Sequence, residues 1–477
     1  MTTRQPIKFG TDGWRAVMGE DYTFENVRYC AEGVARHLRE QGTPQGPVVL
    51  GYDTRYQSDA FARASAEVLA ANGVKVILSD GPTPTPGLCY NIVARKAAGG
   101  VIITASHNPP EWNGFKCRTA YGGSLPQESL VSLEKHIQAA VSGGVRRMAF
   151  DEAKKIGLIE TAALRTTYLE HLQKTLDLKA HRDSGLRIAV DAMHGAGGGC
   201  FGELLDGAKT QVIEVRGKPN PAFPGMHNPE PIARNLGPLV ETVNSAHADV
   251  GIAFDGDADR LGVLDEHGNF ITTLQVGALL AYLFLEFKKM RGPIVKSLTT
   301  SSMLWRLGEK YNVPVRETCV GFQYIAPVLF TEKDWLLGLE ESGGYAFRGF
   351  PPERDGILSG LLFLELMVRT GKRPSQLIDQ LFSVVGPHHY DRLDLTFPSD
   401  QRTKIQNAVS TASPAKVGGL DVQTRDTLDG VRFTLRGGGW LAIRFSGTEP
   451  LLRIYAEAES PDRVQALIKS GRELAAL

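Results

Sequence analysis

Asp249-Val250-Gly251-Ile252-Ala253-Phe254-Asp255-Gly256-Asp257-Ala258-Asp259-Arg260 is an apolar run that stops abruptly in alternating aspartates. The run is too short for a helix and is bounded by turn residues, so it reads as a buried strand. In extended chain a period of two puts Asp255, Asp257 and Asp259 on one side. Three carboxylates that close repel one another unless a cation sits among them, and hard oxygen ligands select magnesium or calcium. The competing reading is a solvated acidic turn; the short, glycine-containing, strand-terminal setting favours the metal. No helix precedes the loop, which excludes an EF-hand.

Working outward, the same unit recurs. A buried strand is followed by a helix, a second strand, and a third strand that ends in a polar loop. Around the aspartates the unit is strand 187–191, a helix after the glycine-rich turn 195–199, strand 211–215 and strand 249–254. That glycine-rich turn lacks GxGxxG spacing and reads as a place of close helix–strand packing. Upstream the unit is strand 48–52, helix 58–72, strand 74–78 and strand 100–104. Downstream it is strand 293–296, helix 301–311, strand 313–317 and strand 334–339. Apolar strands alternating with helical patterns predict mostly parallel sheets with right-handed crossovers. Ligands of such sheets lie beyond the carboxyl ends of the strands. The three third strands end in Ala105-Ser106-His107-Asn108-Pro109, in the aspartate loop, and in Glu340-Glu341-Ser342-Gly343-Gly344. Three domains are therefore expected to face one cleft.

The last stretch differs. Segments 390–397, 430–435 and 440–445 alternate polar and apolar residues, and 461–477 has a helical pattern. This predicts a smaller α+β domain with an antiparallel sheet. The fold class is thus α/β: three similar α/β/α domains with mixed, mostly parallel sheets, plus a smaller C-terminal α+β domain, around a central cleft. The expected boundaries are 1–160, 161–272, 273–386 and 387–477. A chain of 477 residues exceeds one ordinary core and fits three or four domains of about 100–150 residues.

Composition narrows the function. Net charge is zero and no Lys/Arg run stands out, so the footprint of a nucleic-acid binder is missing. The longest apolar stretches, 276–287 and 361–368, are short and interrupted, and read as buried helices rather than membrane spans. Residues 1–8 are polar and lack a signal-peptide core. Five dispersed cysteines without a CxxC fit a reducing cytoplasm.

Other motifs carry chemistry. Ser106 lies in Thr104-Ala105-Ser106-His107-Asn108-Pro109-Pro110, where two prolines fix a rigid loop. A serine there is by default a turn residue; its equivalence to the aspartate loop makes it a nucleophile candidate. Asn113-Gly114 makes a tight turn that returns Lys116. Arg444-Phe445-Ser446-Gly447-Thr448-Glu449-Pro450, with Arg453 beyond, offers backbone, hydroxyl and guanidinium donors suited to a phosphate. Its alternative is a charged surface hairpin, and it lacks the pattern of a nucleotide P-loop. Arg15, in Gly10-Thr11-Asp12-Gly13-Trp14-Arg15, and Lys296 at a strand end are further phosphate candidates.

Taken together and in order, GTDGWR, TASHNPPEWNGFK, DGDADR, LEESGG and RFSGTEPLLR resemble the α-D-phosphohexomutase superfamily, the phosphoglucomutase and phosphomannomutase group. The resemblance spans essentially the whole chain. It implies four domains around a deep cleft. Ser106 matches the family's phosphoserine, and Asp255, Asp257 and Asp259 its Mg2+ ligands, with a phosphoserine oxygen as fourth contact. Lys116 matches a general acid or base, its pKa lowered by neighbours such as Arg15. Arg15, His107 and Arg260 match groups beside the reacting centre, and Glu340 and Ser342 the sugar-binding loop. Arg444, Ser446, Gly447 and Thr448 match the loop holding the phosphate that is not transferred.

The implied reaction interconverts glucose 1-phosphate and glucose 6-phosphate through phosphoserine and a hexose 1,6-bisphosphate, with glucose 1,6-bisphosphate as activator. The partner is a small-molecule hexose phosphate, with no nucleic acid or membrane, and the chain is a monomer or weak homodimer. Alternatives on this scaffold are phosphomannomutase, phosphoglucosamine mutase and hexose 1,6-bisphosphate synthase; a serine/metal phosphatase is the rival of another class. Two departures bear on the sugar. The EES of the sugar loop leans toward glucose, but Gly344 stands where many relatives have histidine, leaving a proton-transfer position unfilled. Gln323 stands where many have lysine.

Overall fold

A computed structural model describes residues 7–42, 46–207, 209–445 and 451–477. Its first sheet has six strands in the order Trp14–Val17, Trp112–Arg118, Gly99–Ile103, Val48–Tyr52, Val76–Ser79, Ile159–Ala162. The second has five: Phe270–Ile271, Leu261–Leu264, Val250–Phe254, Arg187–Asp191, Gln211–Val215. The third has four: Val315–Thr318, Ile294–Ser297, Leu337–Leu339, Tyr345–Phe347. At the heart of each, three parallel strands run second, first, third, and a fourth pairs antiparallel with the third. The repeat expected from sequence is therefore real. Strands such as Val48–Tyr52 and Val250–Phe254 are buried almost throughout, which is why they read as continuous apolar runs rather than alternating ones.

Each unit also holds a second helix that the sequence reading left out: Thr85–Ala94, Gly237–Ala246 and Phe322–Thr331. The first two carry proline in the opening turn and the third contains Pro327. Proline punctuates a sequence like a loop, yet in a first turn its missing N–H costs nothing. The third strand of the third unit is shorter than expected, because Asp334 turns the chain at φ +59° before Leu337.

The last domain is an all-antiparallel sheet of six strands, His389–Thr396, Leu451–Ala458, Trp440–Phe445, Val431–Leu435, Leu420–Asp426 and Lys416–Val417. Helices Arg402–Thr411 and Pro461–Leu474 cover it through Ile405, Val409, Val464 and Leu467. The apolar stretch at 276–287 is buried helix that loosens into a π-turn at Leu283–Phe287. The stretch at 361–368 lies within the buried helix Gly356–Thr370, capped by Asp355. Among the described residues no helix is long and apolar enough to cross a membrane.

Candidate active site

The serine loop is built by a residue the sequence reading missed. Arg55 leaves the end of strand Val48–Tyr52, and its Nη2 donates to the carbonyls of Ser106 (2.7 Å) and Asn108 (2.6 Å). Its Nη1 donates to those of Pro109 (2.8 Å) and Trp112 (2.9 Å). Asp53 balances the buried guanidinium at 3.3 Å, and the Thr104 hydroxyl donates to Asp53 while accepting from the Ser106 amide. Ser106 is buried and held at φ +51°, a left-handed conformation an L-residue keeps only where its surroundings dictate it. Arg55→Met should leave four loop carbonyls without their donor and Asp53, which keeps the Thr104 and Ser58 hydroxyls, without its counter-charge. We expect a loss on the order of 3–5 kcal/mol in a denaturant titration, with turnover falling alongside.

The aspartate loop meets this serine directly. Ser106 Oγ donates to Asp255 Oδ2 at 2.6 Å. Gly256 makes the approach possible: a Cβ there would lie 2.5 Å from the Ser106 carbonyl oxygen. The three aspartates converge, but not through extended chain. Asp255 Oδ1 accepts the amides of Asp259 (3.0 Å) and Arg260 (3.1 Å), and Ala258 sits at φ +56°, so the loop is a tight turn. One oxygen from each carboxylate lies within 4.8 Å of the others, and all three side chains are fully buried.

Asp257 Oδ2 accepts from Thr85 Oγ1 (2.6 Å) and Lys116 Nζ (2.8 Å). Asp257 Oδ1 and Asp259 Oδ1 are buried without a hydrogen bond, and Asp259 Oδ2 has only the ion-pair contacts of Arg354 (2.9 Å) and Lys116 (3.7 Å). Burial, with Asp259 and Asp257 alongside, pushes the Asp255 carboxyl well above the usual range. Buried carboxylate oxygens lacking donors are a donor set for a hard divalent cation, and these residues fit one.

Cations ring the aspartates. Lys116, fully buried, places Nζ 2.7 Å from Asp12 Oδ2, 2.8 Å from Asp257 and 3.7 Å from Asp259. The expectation of a lowered pKa is overturned. Burial alone would lower it, but Asp12, Asp257 and Asp259 outweigh burial and Arg15, so the ammonium is held above its ordinary value. Arg15 Nη1 donates to Asn108 Oδ1 (2.7 Å) and to the Ala105 carbonyl (3.2 Å). His107 Nδ1 lies 3.3 Å from Ser106 Oγ; burial and then the cations Arg260, Arg15, Lys116 and Arg354 hold its imidazole neutral. Arg260 pairs with Glu230 at 3.3 Å.

Asp12, also missed, is the hub: besides Lys116 it binds Arg118 Nη2 (3.0 Å), Arg354 Nη2 (2.7 Å) and Arg15 Nη2 (3.3 Å). Burial opposes its charge, but Lys116, Arg354, Arg118 and Arg15 hold its carboxyl well below the usual range.

The third loop joins at the same place. The Leu261 amide donates to the Gly343 carbonyl at 2.9 Å, tying it to the aspartate strand. Glu340 is buried, 3.6 Å from Arg354 Nη1, and the Ser342 hydroxyl is buried without a partner. The position of the absent histidine is not empty space. A Cβ at Gly344 would lie 2.3 Å from Arg354 Cδ, and Arg354 Nη2 reaches Asp259 Oδ2 at 2.9 Å. The arginine supplies charge there but no titratable proton, since its carboxylate neighbours keep it charged against burial. Gly344→His should therefore evict Arg354 and lower kcat by about 10–100-fold, checked by steady-state assay.

The remaining candidates lie apart from this cluster. Lys296 is buried with Nζ 2.6 Å from Glu317 Oε2, and Arg432 of the last domain shares that carboxylate at 2.7 Å. It thus serves an ion triad at the junction of the third and fourth domains. Arg444 and Arg453 face each other across paired strands, with Asp429 2.8 Å from Arg444 and Asp394 3.7 Å from Arg453. Ser446, Gly447 and Thr448 lie outside the described residues. Gln323 is buried, its Oε1 without a partner.

Known proteins share this arrangement. Family models match in series: phosphoglucomutase/phosphomannomutase alpha/beta/alpha domain I at 6–143, domain II at 166–268, domain III at 274–385 and the C-terminal domain at 401–473. A phosphoglucomutase/phosphomannomutase of Thermococcus kodakarensis is 31% identical over 98% of both chains. A "probable phosphoglucosamine mutase" of Methanothermobacter thermautotrophicus is 33% identical over 99% of this chain and 98% of its own. The solved structure of a "putative phosphomannomutase" from Thermus thermophilus superposes over all of both chains with TM-score 0.86 at 38% identity. With its four domains and its serine, aspartate and 340–344 loops meeting in one buried cluster, the chain belongs to the phosphoglucomutase/phosphomannomutase family and is a phosphohexomutase.

Proposed function

We propose that the chain interconverts glucose 1-phosphate and glucose 6-phosphate by way of phosphoserine 106 and a hexose 1,6-bisphosphate, with Mg2+ at Asp255, Asp257 and Asp259. The observation that carries this reading is the Ser106 hydroxyl, donating to Asp255 of the buried triad, with His107 beside it, Lys116 on Asp257 and Arg15 on the carbonyl of Ala105. A phosphoserine there carries about −1.5 to −2 charges, and a bound Mg2+ supplies charge neutralisation for phosphoryl transfer.

The proton steps divide between two residues. In the first half-reaction the bond from phosphorus to Ser106 Oγ breaks and a bond to the sugar hydroxyl oxygen forms. The hydroxyl gives up its proton as Ser106 Oγ gains one. His107, held neutral, has Nδ1 3.3 Å from the leaving oxygen Ser106 Oγ, so the acceptor for the sugar proton is its other ring nitrogen, Nε2. Lys116, kept as an ammonium, donates and stabilises the charge spread over the phosphoryl oxygens. After the bisphosphate turns around, the same groups work in reverse and return the other phosphoryl to Ser106. Glucose 1,6-bisphosphate, added as activator, rephosphorylates any enzyme that lost it.

The phosphate not being transferred belongs on the last domain. Arg444 and Arg453 stand opposite one another on adjacent strands, each beside one carboxylate, Asp429 and Asp394, and with Ser446, Gly447 and Thr448 between them in sequence they offer guanidinium, hydroxyl and amide donors for a phosphate. Glu340 and Ser342 then face the sugar hydroxyls, and Glu341 is fixed by Tyr390 Oη (2.7 Å) and Arg392 Nη1 (3.2 Å) of the last domain.

The EES loop favours glucose, whereas the names of similar proteins span glucose, mannose and glucosamine phosphates. A coupled assay with Mg2+ and a trace of glucose 1,6-bisphosphate separates them. The glucose reading requires the highest kcat/KM on glucose 1-phosphate over mannose 1-phosphate and glucosamine 1-phosphate. A higher value for either rival overturns the sugar and leaves the mechanism; release of inorganic phosphate instead favours the phosphatase, and accumulation of bisphosphate the synthase.

A further inference from the structure

Helices Phe24–Glu40 and Gln127–Gly143 lie side by side over the first sheet, joined through Val27, Cys30 and Val34 on one and Leu130, Leu133 and Ile137 on the other. Where the first helix ends, their polar edges meet. His37 and Glu40, three residues apart, share one helix face, and Ser132 and His136, four apart, share the facing one. Glu40 Oε2 accepts from Ser132 Oγ at 2.9 Å and lies 2.9 Å from His136 Nε2, while His37 Nδ1 lies 3.1 Å from Ser132 Oγ. One nitrogen from each imidazole and one Glu40 oxygen fall within 4.8 Å of one another.

This is a ligand set, not only an ion pair. Two imidazoles and one carboxylate from two rigid helices give three protein ligands and leave a fourth position for water, as zinc accepts. The set differs in kind from the all-oxygen aspartate cluster, which suits a hard cation. Gln41 Nε2 donates to His37 Nε2 at 3.0 Å; turning that amide over, which exchanges its nitrogen and oxygen, would let it accept the proton that a metal-binding Nδ1 leaves on Nε2. His37 is buried where the two helices meet. The Glu40 side chain is 55% exposed and that of His136 20%, which gives the ion an entry path from solvent.

We propose that His37, Glu40 and His136 form a second cation site, selective for zinc-class divalent ions, that clamps the two outer helices of the first domain together. The test uses tag-free full-length enzyme, stripped of metal and then saturated with Mg2+ so that the aspartates are protected. Titration with Zn2+ by calorimetry should show one equivalent bound and a raised Tm, and Co2+ in its place should give the intense visible bands of four-coordinate nitrogen and oxygen ligation. His136→Ala and Glu40→Gln, both at partly exposed positions, should each weaken binding at least about tenfold, the loss an outer partner alone can cause. Both variants should keep wild-type turnover in Mg2+ without zinc. No equivalent beyond the Mg2+-protected site, or an equivalent that both variants retain at full affinity, would overturn the proposal.

Discussion

Ser106→Gly should abolish mutase turnover, with kcat down by about 10^4-fold or more, while leaving stability within about 1 kcal/mol of wild type. Three features set the stability side. Ser106 sits at φ +51°, where glycine pays no steric cost, so the change relieves strain of roughly 1 kcal/mol. Against this stand the lost hydrogen bond to Asp255 Oδ2 at 2.6 Å and the greater freedom of glycine in the unfolded chain, each worth about 1 kcal/mol. The activity side has no offset, because no other hydroxyl donates to the triad's Asp255 carboxylate among the described residues. Ser106→Ala keeps the strain and loses the same chemistry. The two variants together separate a loop that must be held from a hydroxyl that must react. Residual turnover above about 1% in either, by coupled assay on purified enzyme, would count against covalent catalysis at this serine.

Lys116→Met is the second large effect, and it differs by damaging both properties. Met fills much of the volume but leaves Asp12 Oδ2 and Asp257 Oδ2 without the ammonium that lies 2.7 and 2.8 Å away. Asp12 keeps Arg15, Arg118 and Arg354, but Asp257 is left buried with no other cation in ion-pair contact among the described residues, a loss on the order of 3–5 kcal/mol, so Tm should fall by several degrees. Turnover should drop by about 10^2–10^4-fold, the usual worth of a positioned proton donor. Lys116→Arg would restore charge yet not function, because a planar fork cannot occupy the point between Asp12 and Asp257. Unchanged kcat in Lys116→Met would remove the lysine from the chemistry.

Much of this site was readable in the chain because the fold repeats. Once strands 48–52, 187–191 and 293–296 were seen as equivalent, the loops after their third strands had to lie at corresponding ends of three sheets, and Ser106, Asp255 and Glu340 followed. What stayed hidden was the layer that holds them. Asp12, Arg118, Glu353 and Arg354 are far apart in sequence and carry no spacing signal; only the packing of the first and third domains makes them one ion network. Arg55 could have been found, since Asp53-Thr54-Arg55 ends a first strand at the same edge as the serine loop. The shift in Lys116 was misjudged because Arg15 is near it in the motif order, whereas three carboxylates are nearer in space. The alternating aspartates were assigned the right side by the wrong geometry, a turn with Ala258 left-handed rather than an extended strand.

Most direct for the central claim is a rapid-quench single turnover, in which enzyme phosphorylated at Ser106 is mixed with substoichiometric glucose 1-phosphate in Mg2+. Peptide mass spectrometry follows the serine while chromatography follows the sugars. The account predicts that phosphate leaves Ser106 as glucose 1,6-bisphosphate appears, and returns to Ser106 as glucose 6-phosphate forms. Phosphate that stays on Ser106 while glucose 6-phosphate accumulates, or that leaves as inorganic phosphate, would contradict it.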